Sequence, residues 1–169
     1  MKRLLPILAL LCVAAGGQEA RWEEALGKWS RSDGILQTDN GILICENENA
    51  QRFSLSCDFL VHEWTEERSF LAIFWAFEGS RPDEANWEKR QELILRESTI
   101  AISGLKSVAI RLPKNKSIPV RIVSKSGYTE VRVGKIKMSS HARYDSPSKL
   151  ALIISRMDAE VRNLEVCWR

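Results

Sequence analysis

The alternation of apolar and polar residues is clearest over residues 53–62. There Phe53, Leu55, Cys57, Phe59 and Val61 fall on one side and Ser54, Ser56, Asp58, Leu60 and His62 on the other. Alternation of this length predicts a strand with one face in a core and one toward solvent. Residues 69–77, Ser-Phe-Leu-Ala-Ile-Phe-Trp-Ala-Phe, carry no polar residue after the serine. Neither face of such a run suits water, so it predicts a central strand covered on both sides and closed by the Glu78-Gly79-Ser80 break.

Further strands are predicted at residues 92–97, 99–103, 107–112, 118–124, 129–138, 150–155 and 161–168. Turn residues separate them at Ser103-Gly104, Ser126-Gly127 and Asp145-Ser146-Pro147. Upstream, Asp33-Gly34 and Asp39-Asn40-Gly41 bracket two short apolar runs at 35–38 and 42–45, which predicts a hairpin. Trp22, Ala25, Leu26 and Trp29 recur at helical spacing, so residues 19–29 are expected to form a short helix or an ordered arm whose tryptophans plug the core. The polar stretch between Glu78 and Gln91 opens with Ser80, Pro82, Asp83 and Glu84 and closes with Lys89 and Arg90, the chemistry of a helical turn or a long loop. Many short strands with at most one or two short helices predict an all-β fold, an antiparallel two-sheet β-sandwich of jelly-roll type.

Residues 1–17 combine Lys2 and Arg3 with an apolar run over 4–15 and small residues at Ala14, Ala15, Gly16 and Gly17. This order predicts a signal peptide cut between Ala14 and Ala20, leaving residues 18–169 as a single domain in a secreted or periplasmic protein. The apolar run is shorter than the roughly 20 residues that cross a bilayer, so no transmembrane segment is expected after cleavage. Bulky Leu10 and Leu11 before Cys12 argue against a lipid anchor. The remaining cysteines, Cys45, Cys57 and Cys167, are odd in number, which excludes a complete disulfide framework. Cys57 shares its face with Phe53 and Phe59, whereas Cys167 alternates away from Val166 and Trp168, so free thiols are expected.

The formal charge of +3 falls to +1 without Lys2 and Arg3. Its distribution is uneven: between Lys106 and Lys149 there are eleven basic residues against Glu130 and Asp145 alone. Such a face has the sign for nucleic acid or an anionic polysaccharide. Most of these positions alternate with apolar ones, however, as on any solvated strand face, and nucleic acid is not an expected partner.

In the order of these features the chain resembles the concanavalin A-like lectin and glucanase jelly rolls, and among them it is most similar to the secreted bacterial 3-keto-disaccharide hydrolase domains. The resemblance rests on Trp29 with Asp33-Gly34, the run Phe53-Ser-Leu-Ser-Cys-Asp-Phe59, the run Gln91-Glu-Leu-Ile-Leu95 and the ending Val161-Arg-Asn-Leu-Glu-Val166. It implies a two-sheet sandwich and a carbohydrate as ligand or substrate. Two runs depart from the family pattern. An Asn-Ser-Gly lead into the central strand is replaced by Glu67-Arg-Ser-Phe70, and a Leu-Gln-x-His run by Leu152-Ile-Ile-Ser-Arg156.

Independent of that resemblance, the chain has no Gly-x-Ser-x-Gly elbow, no His-Glu-x-x-His and no phosphate-binding glycine loop. Its only histidines are His62 and His141, both in polar surroundings, and neither a metal nor a cofactor is expected. The remaining enzymatic option is a carboxylate pair about 5 to 10 Å apart across a sugar bond. Asp58 and Glu92 each alternate opposite their strand's apolar residues and are the catalytic candidates, expected with Arg96 on the open side of one sheet. Glu78, Arg81 and Trp87 of the polar stretch are expected to border that face as ligand-binding residues, and Trp64 and Trp87 are the aromatic rings the core least requires. Three function classes follow: a module that binds a carbohydrate or related extracellular ligand, a glycoside-active hydrolase, and a structural or protein-interaction domain.

Overall fold

The computed structural model describes residues 21–47, 52–75, 77, 91–103, 105, 107–125, 127–141 and 149–168. Within them the chain runs β1 (Trp22–Gly27), β2 (Ser30–Ser32), β3 (Ile35–Thr38), β4 (Gly41–Glu46), β5 (Phe53–Trp64), β6 (Phe70–Trp75) and β7 (Gln91–Arg96). It continues with β8 (Thr99–Ile102), β9 (Val108–Ala109), β10 (Ser117–Lys125), β11 (Tyr128–Val133), β12 (Ile136–Ser140), β13 (Lys149–Ser155) and β14 (Met157–Trp168). No helix occurs among the described residues. A first sheet has the order β1-β4-β13-β6-β7-β8-β9 and a second the order β12-β11-β10-β5-β14-β3-β2, seven strands each and antiparallel at every pairing. The expected two-sheet sandwich is the observed architecture.

The packing follows the side-chain parity. Phe53, Leu55, Cys57, Phe59 and Val61 of β5 point into the space between the sheets, meeting Leu71, Ile73 and Trp75 of β6 and Leu150, Leu152 and Ile154 of β13 in one core. Phe53 lies against Trp75 and Trp168, with ring centroids 6.4 and 5.9 Å away, the spacing at which tilted aromatic pairs attract. β6 sits mid-sheet between β13 and β7, and its other face is buried too: Ala72 and Phe74 join Ile42, Ile44, Phe77, Ala151 and Ile153 in a second apolar cluster. An all-apolar run is therefore in the position that hides both of its faces. Cys45, Cys57 and Cys167 are free thiols. Burial pushes the Cys45 thiol up to about 11 and raises that of Cys57 as well, so neither is a thiolate near neutrality.

Three local expectations are corrected. Of the helix and the ordered arm expected near the start, the helix is absent: residues 22–27 are ordered as edge strand β1 on β4, because backbone pairing with a sheet edge overrides a weak 3.6-residue spacing. Gly27 then turns the chain away at φ 83°, where a Cβ would lie 2.1 Å from the Asn40 carbonyl oxygen. The runs at 35–38 and 42–45 do not pair as a hairpin. β3 bonds β14 and β2 in the second sheet, whereas β4 bonds β1 and β13 in the first, so Asp39-Asn40 is a corner between the sheets. Buried on both faces, β4 requires the interior of a sheet, which a two-strand hairpin does not supply. Finally, residues 129–138 are two strands, β11 and β12, folded back at Gly134, whose φ is 56°.

The corner also places Trp29. Its indole lies buried over the Cα of Gly41 and donates to the Leu26 carbonyl at 3.3 Å, and a Cβ on Gly41 would meet the indole Nε1 at 2.5 Å. Gly41→Ala is expected to destabilise the fold by about 1–3 kcal/mol, the range for overpacking a filled site. A urea midpoint equal to that of the wild type would contradict this placement of Trp29.

Candidate functional site

A band of polar side chains with fixed geometry lies on the outer face of the second sheet, across β11, β10, β5 and β14. Along β5 the outward row is Ser54, Ser56, Asp58, Leu60 and His62, all half-buried. On β14 the inward series Met157, Ala159, Val161 resumes as Leu164, Val166, Trp168, so one extra residue enters between the two halves. The ladder records the same insertion. Arg162 pairs with Asp58 and Glu165 with Ser56, three steps on β14 for two on β5.

This is a β-bulge, and it turns Asn163 onto the outer face beside Arg162. Asn163 takes φ 52°, a left-handed conformation that asparagine tolerates better than most residues. Its side-chain Nδ2 donates to Asp58 Oδ2 at 2.7 Å. The two residues thus form a fixed pair of opposed hydrogen-bonding groups at the bend of the strand. On the other side of β5, β10 places Pro119 opposite Asp58 and Arg121 opposite Ser56, and β11 places Arg132 opposite Arg121. Proline is tolerated mid-sheet here because its carbonyl accepts from Gly134 in the β11–β12 turn. The vacant N–H position therefore faces that turn rather than the β5 ladder. Ser56, Asp58, Arg121, Arg132, Asn163 and Glu165 line one open depression of about 320 Å³. This volume is at the small end of the range for ligand sites, about 300–1,000 Å³.

The polar band continues along β14. His62 Nε2 lies 2.9 Å from Glu160 Oε1, Arg162 donates to Glu160 Oε2 at 2.8 Å through Nε, and Asn115 Oδ1 is 3.3 Å from His62 Nδ1. The Glu160 hydrogen bond raises the His62 pKa above the usual imidazole value. Partial burial opposes the rise, and Asn115 and Asp158 add to it. His62 in turn lowers Glu160, against the desolvation of the carboxylate and with help from Arg162.

Because folding raises the His62 pKa, its stabilising contribution is complete below the unfolded value of about 6.5 and is lost as pH climbs through the folded value. Glu160 works in the opposite sense: its contribution is present above about 4.3 and is lost as pH falls through its depressed value. His62→Gln is therefore expected to lower Tm more at about pH 5.5 than at about pH 8.5. Thermal melts at both values test this, and an equal loss at each would show that the ion pair contributes nothing.

Of the residues singled out in the sequence, Asp58 lies in this depression. Glu92 and Arg96 do not accompany it. They project from β7 on the outer face of the first sheet, where Glu92 is opposite Phe74 and Arg96 opposite Thr99. Stacked sheets are about 10 Å apart before outward side chains are added, so Asp58 and Glu92 cannot flank one glycosidic bond. The face between Glu92 and β4 is apolar, formed by Phe74, Ile94, Ala72, Ile153 and Ile44, rather than a polar groove. Trp64 is a core residue, buried with Met157 and Val61. Glu78, Arg81 and Trp87 lie outside the described residues. Asn163 and Glu165 carry no mark in the sequence as site residues, and Arg121 and Arg132 stand out there only as members of the basic face over residues 106–149. The break in apolar spacing from Val161 to Leu164 is the signal that could have found Asn163. Among the described residues no three His, Cys, Asp or Glu side chains cluster as a metal site, and no helix is long and apolar enough to cross a membrane.

Comparison with solved structures settles the fold. The carbohydrate binding module CBM66 from Bacillus subtilis matches with a TM-score of 0.63 at 12% identity, over 86% of this chain and 94% of that one. The chain has a concanavalin A-like jelly-roll fold. A Bacillus subtilis protein of unknown function with a galectin-like fold gives a TM-score of 0.59 at 14% identity, over 88% of this chain and 89% of its own. The potassium-bound carbohydrate recognition domain of Emp46p gives 0.62 at 9% identity, over 86% and 88%. No protein-family model and no curated protein sequence matches the chain.

Proposed function

We propose that this jelly roll is a carbohydrate-binding module of an exported protein, and that it holds its saccharide in the depression around Asp58. The observation that carries the reading is the β-bulge at Asn163. A left-handed non-glycine residue in mid-strand is unfavourable unless something over-determines it, and here it fixes an amide against a carboxylate in the lining of an open site. Asp58 and Glu165 offer acceptors for sugar hydroxyls, while Arg121, Asn163 and Ser56 offer donors. Such groups orient a saccharide without any catalytic step. The depression is open and small, which suits shallow, weak binding. Similarity to a carbohydrate binding module and a carbohydrate recognition domain supports the same class. Hydrolysis is the less favoured alternative, since the carboxylate pair first considered for it, Asp58 and Glu92, is divided between the two sheets.

The test is binding of the purified domain to a panel of oligosaccharides, with product formation from ordinary and 3-keto-disaccharides assayed in parallel. Binding without turnover is expected. Turnover would establish the hydrolase instead, and neither binding nor turnover would leave a structural or protein-interaction domain. Export through residues 1–17 belongs to the same proposal. Its expected outcome is an exported product whose mass places the new N-terminus between Ala14 and Ala20.

A further inference from the structure

The depression is electrically divided. Its β10 and β11 wall belongs to a segment, residues 117–140, with five basic residues, Arg121, Lys125, Arg132, Lys135 and Lys137, against Glu130 alone. Glu130 is shared between two of them, accepting from Arg132 Nε at 3.0 Å and from Lys137 Nζ at 2.8 Å. Arg121 forms no ion pair among the described residues, yet it stands directly opposite Arg132 in the ladder. Directly opposed side chains have Cβ atoms about 4.5–5.5 Å apart, and like charges so placed repel. The opposite wall carries Asp58, tied to Asn163, and Glu165.

Two arginines side by side on one wall of a cavity are unfavourable in the empty protein and favourable around an anion, because guanidinium groups bind carboxylate and sulfate oxygens in a planar, bidentate manner. The acidic wall suits hydroxyls. We propose that this site takes an anionic saccharide, whose carboxylate or sulfate lies between Arg121 and Arg132 while its ring hydroxyls reach Asp58, Asn163 and Glu165. The inference rests on the carbohydrate-binding reading and names its ligand class. A nucleic acid fits this site less well, since repeated phosphates would have to pass Asp58 and Glu165 on the far wall.

Calorimetric titration of the whole domain tests it with four probes: a neutral xylo-oligosaccharide, an oligogalacturonate, a sulfated galactan oligosaccharide and a single-stranded oligonucleotide. The expected result is that at least one acidic saccharide binds about tenfold or more tighter than the neutral one. Arg121→Gln should abolish that preference, and Arg121→Lys, which keeps the charge and loses the fork, should restore part of it. The uronate and sulfate probes distinguish the source of the anion. Equal binding of neutral and acidic saccharides, or a preference untouched in Arg121→Gln, overturns the anionic assignment while leaving the carbohydrate reading intact. Absence of binding to every saccharide overturns both, and oligonucleotide binding that is equally tight and equally sensitive to Arg121 reassigns the site to a polyanion.

Discussion

Replacing Phe59 by alanine is expected to remove about 3–5 kcal/mol of stability, the cost of deleting a fully buried aromatic ring. Phe59 is 0% exposed, and it is flanked on β5 by Ile118 of β10 and Val161 of β14, both buried in the same core. A collapse that would shrink the cavity is resisted on both sides, because β5 is hydrogen-bonded along most of its length to two long strands. Single domains have about 5–15 kcal/mol in total, so the variant is expected to be near the limit of folding. Leu60→Ala, one residue along and facing outward, is expected to cost less, nearer the 1 kcal/mol of an average substitution. Urea unfolding of both variants checks the pair. Equal losses would mean that the parity assigned to β5 is wrong.

The second large effect concerns binding. Asp58→Ala is expected to weaken saccharide affinity by about 10- to 100-fold, since hydrogen bonds to a charged group contribute about 1.5–3 kcal/mol. Stability should change little, because Asp58 faces outward and its hydrogen bond goes to an exposed asparagine. Asn163→Gly separates the two roles of the bulge. Glycine accepts the left-handed conformation without strain and removes only the amide, so the fold is expected to be retained while Asp58 loses its partner and binding weakens. Affinity unchanged in both variants would remove the depression from consideration.

Much of the fold was legible in the sequence, because burial writes itself into side-chain alternation. β5 and β6 were readable from parity and from the absence of polar residues. What misled was local chemistry that serves more than one geometry. Asp39-Asn40-Gly41 suits a tight turn equally well whether the chain returns to its neighbour or crosses to the other sheet, and only the pairing of β4 with β13 distinguishes them. Trp22, Ala25, Leu26 and Trp29 fit a helix, but the edge of β4 offered backbone partners to the same residues.

The site was legible only in part, for a similar reason. Parity correctly turns Asp58 and Glu92 outward, yet alternation along a strand says nothing about which sheet the strand joins. Arg121 and Arg132 are eleven residues apart in the chain and meet only through the register of β10 and β11. Asn163 had a visible signature in the spacing of Val161, Leu164 and Val166, whose irregular step marks a bulge. Its contact with Asp58, 105 residues away, depends on β14 lying beside β5.

The proposed ligand position is the outer face of the second sheet. Chemical-shift mapping of the backbone amides during titration with an oligosaccharide tests it most directly. Perturbations are expected to concentrate at Ser56, Asp58, Arg121, Arg132, Asn163 and Glu165, with Glu92, Ile94 and Arg96 unmoved. Perturbations concentrated on β7 and β6 of the first sheet, with Asp58 and Asn163 unmoved, would contradict it.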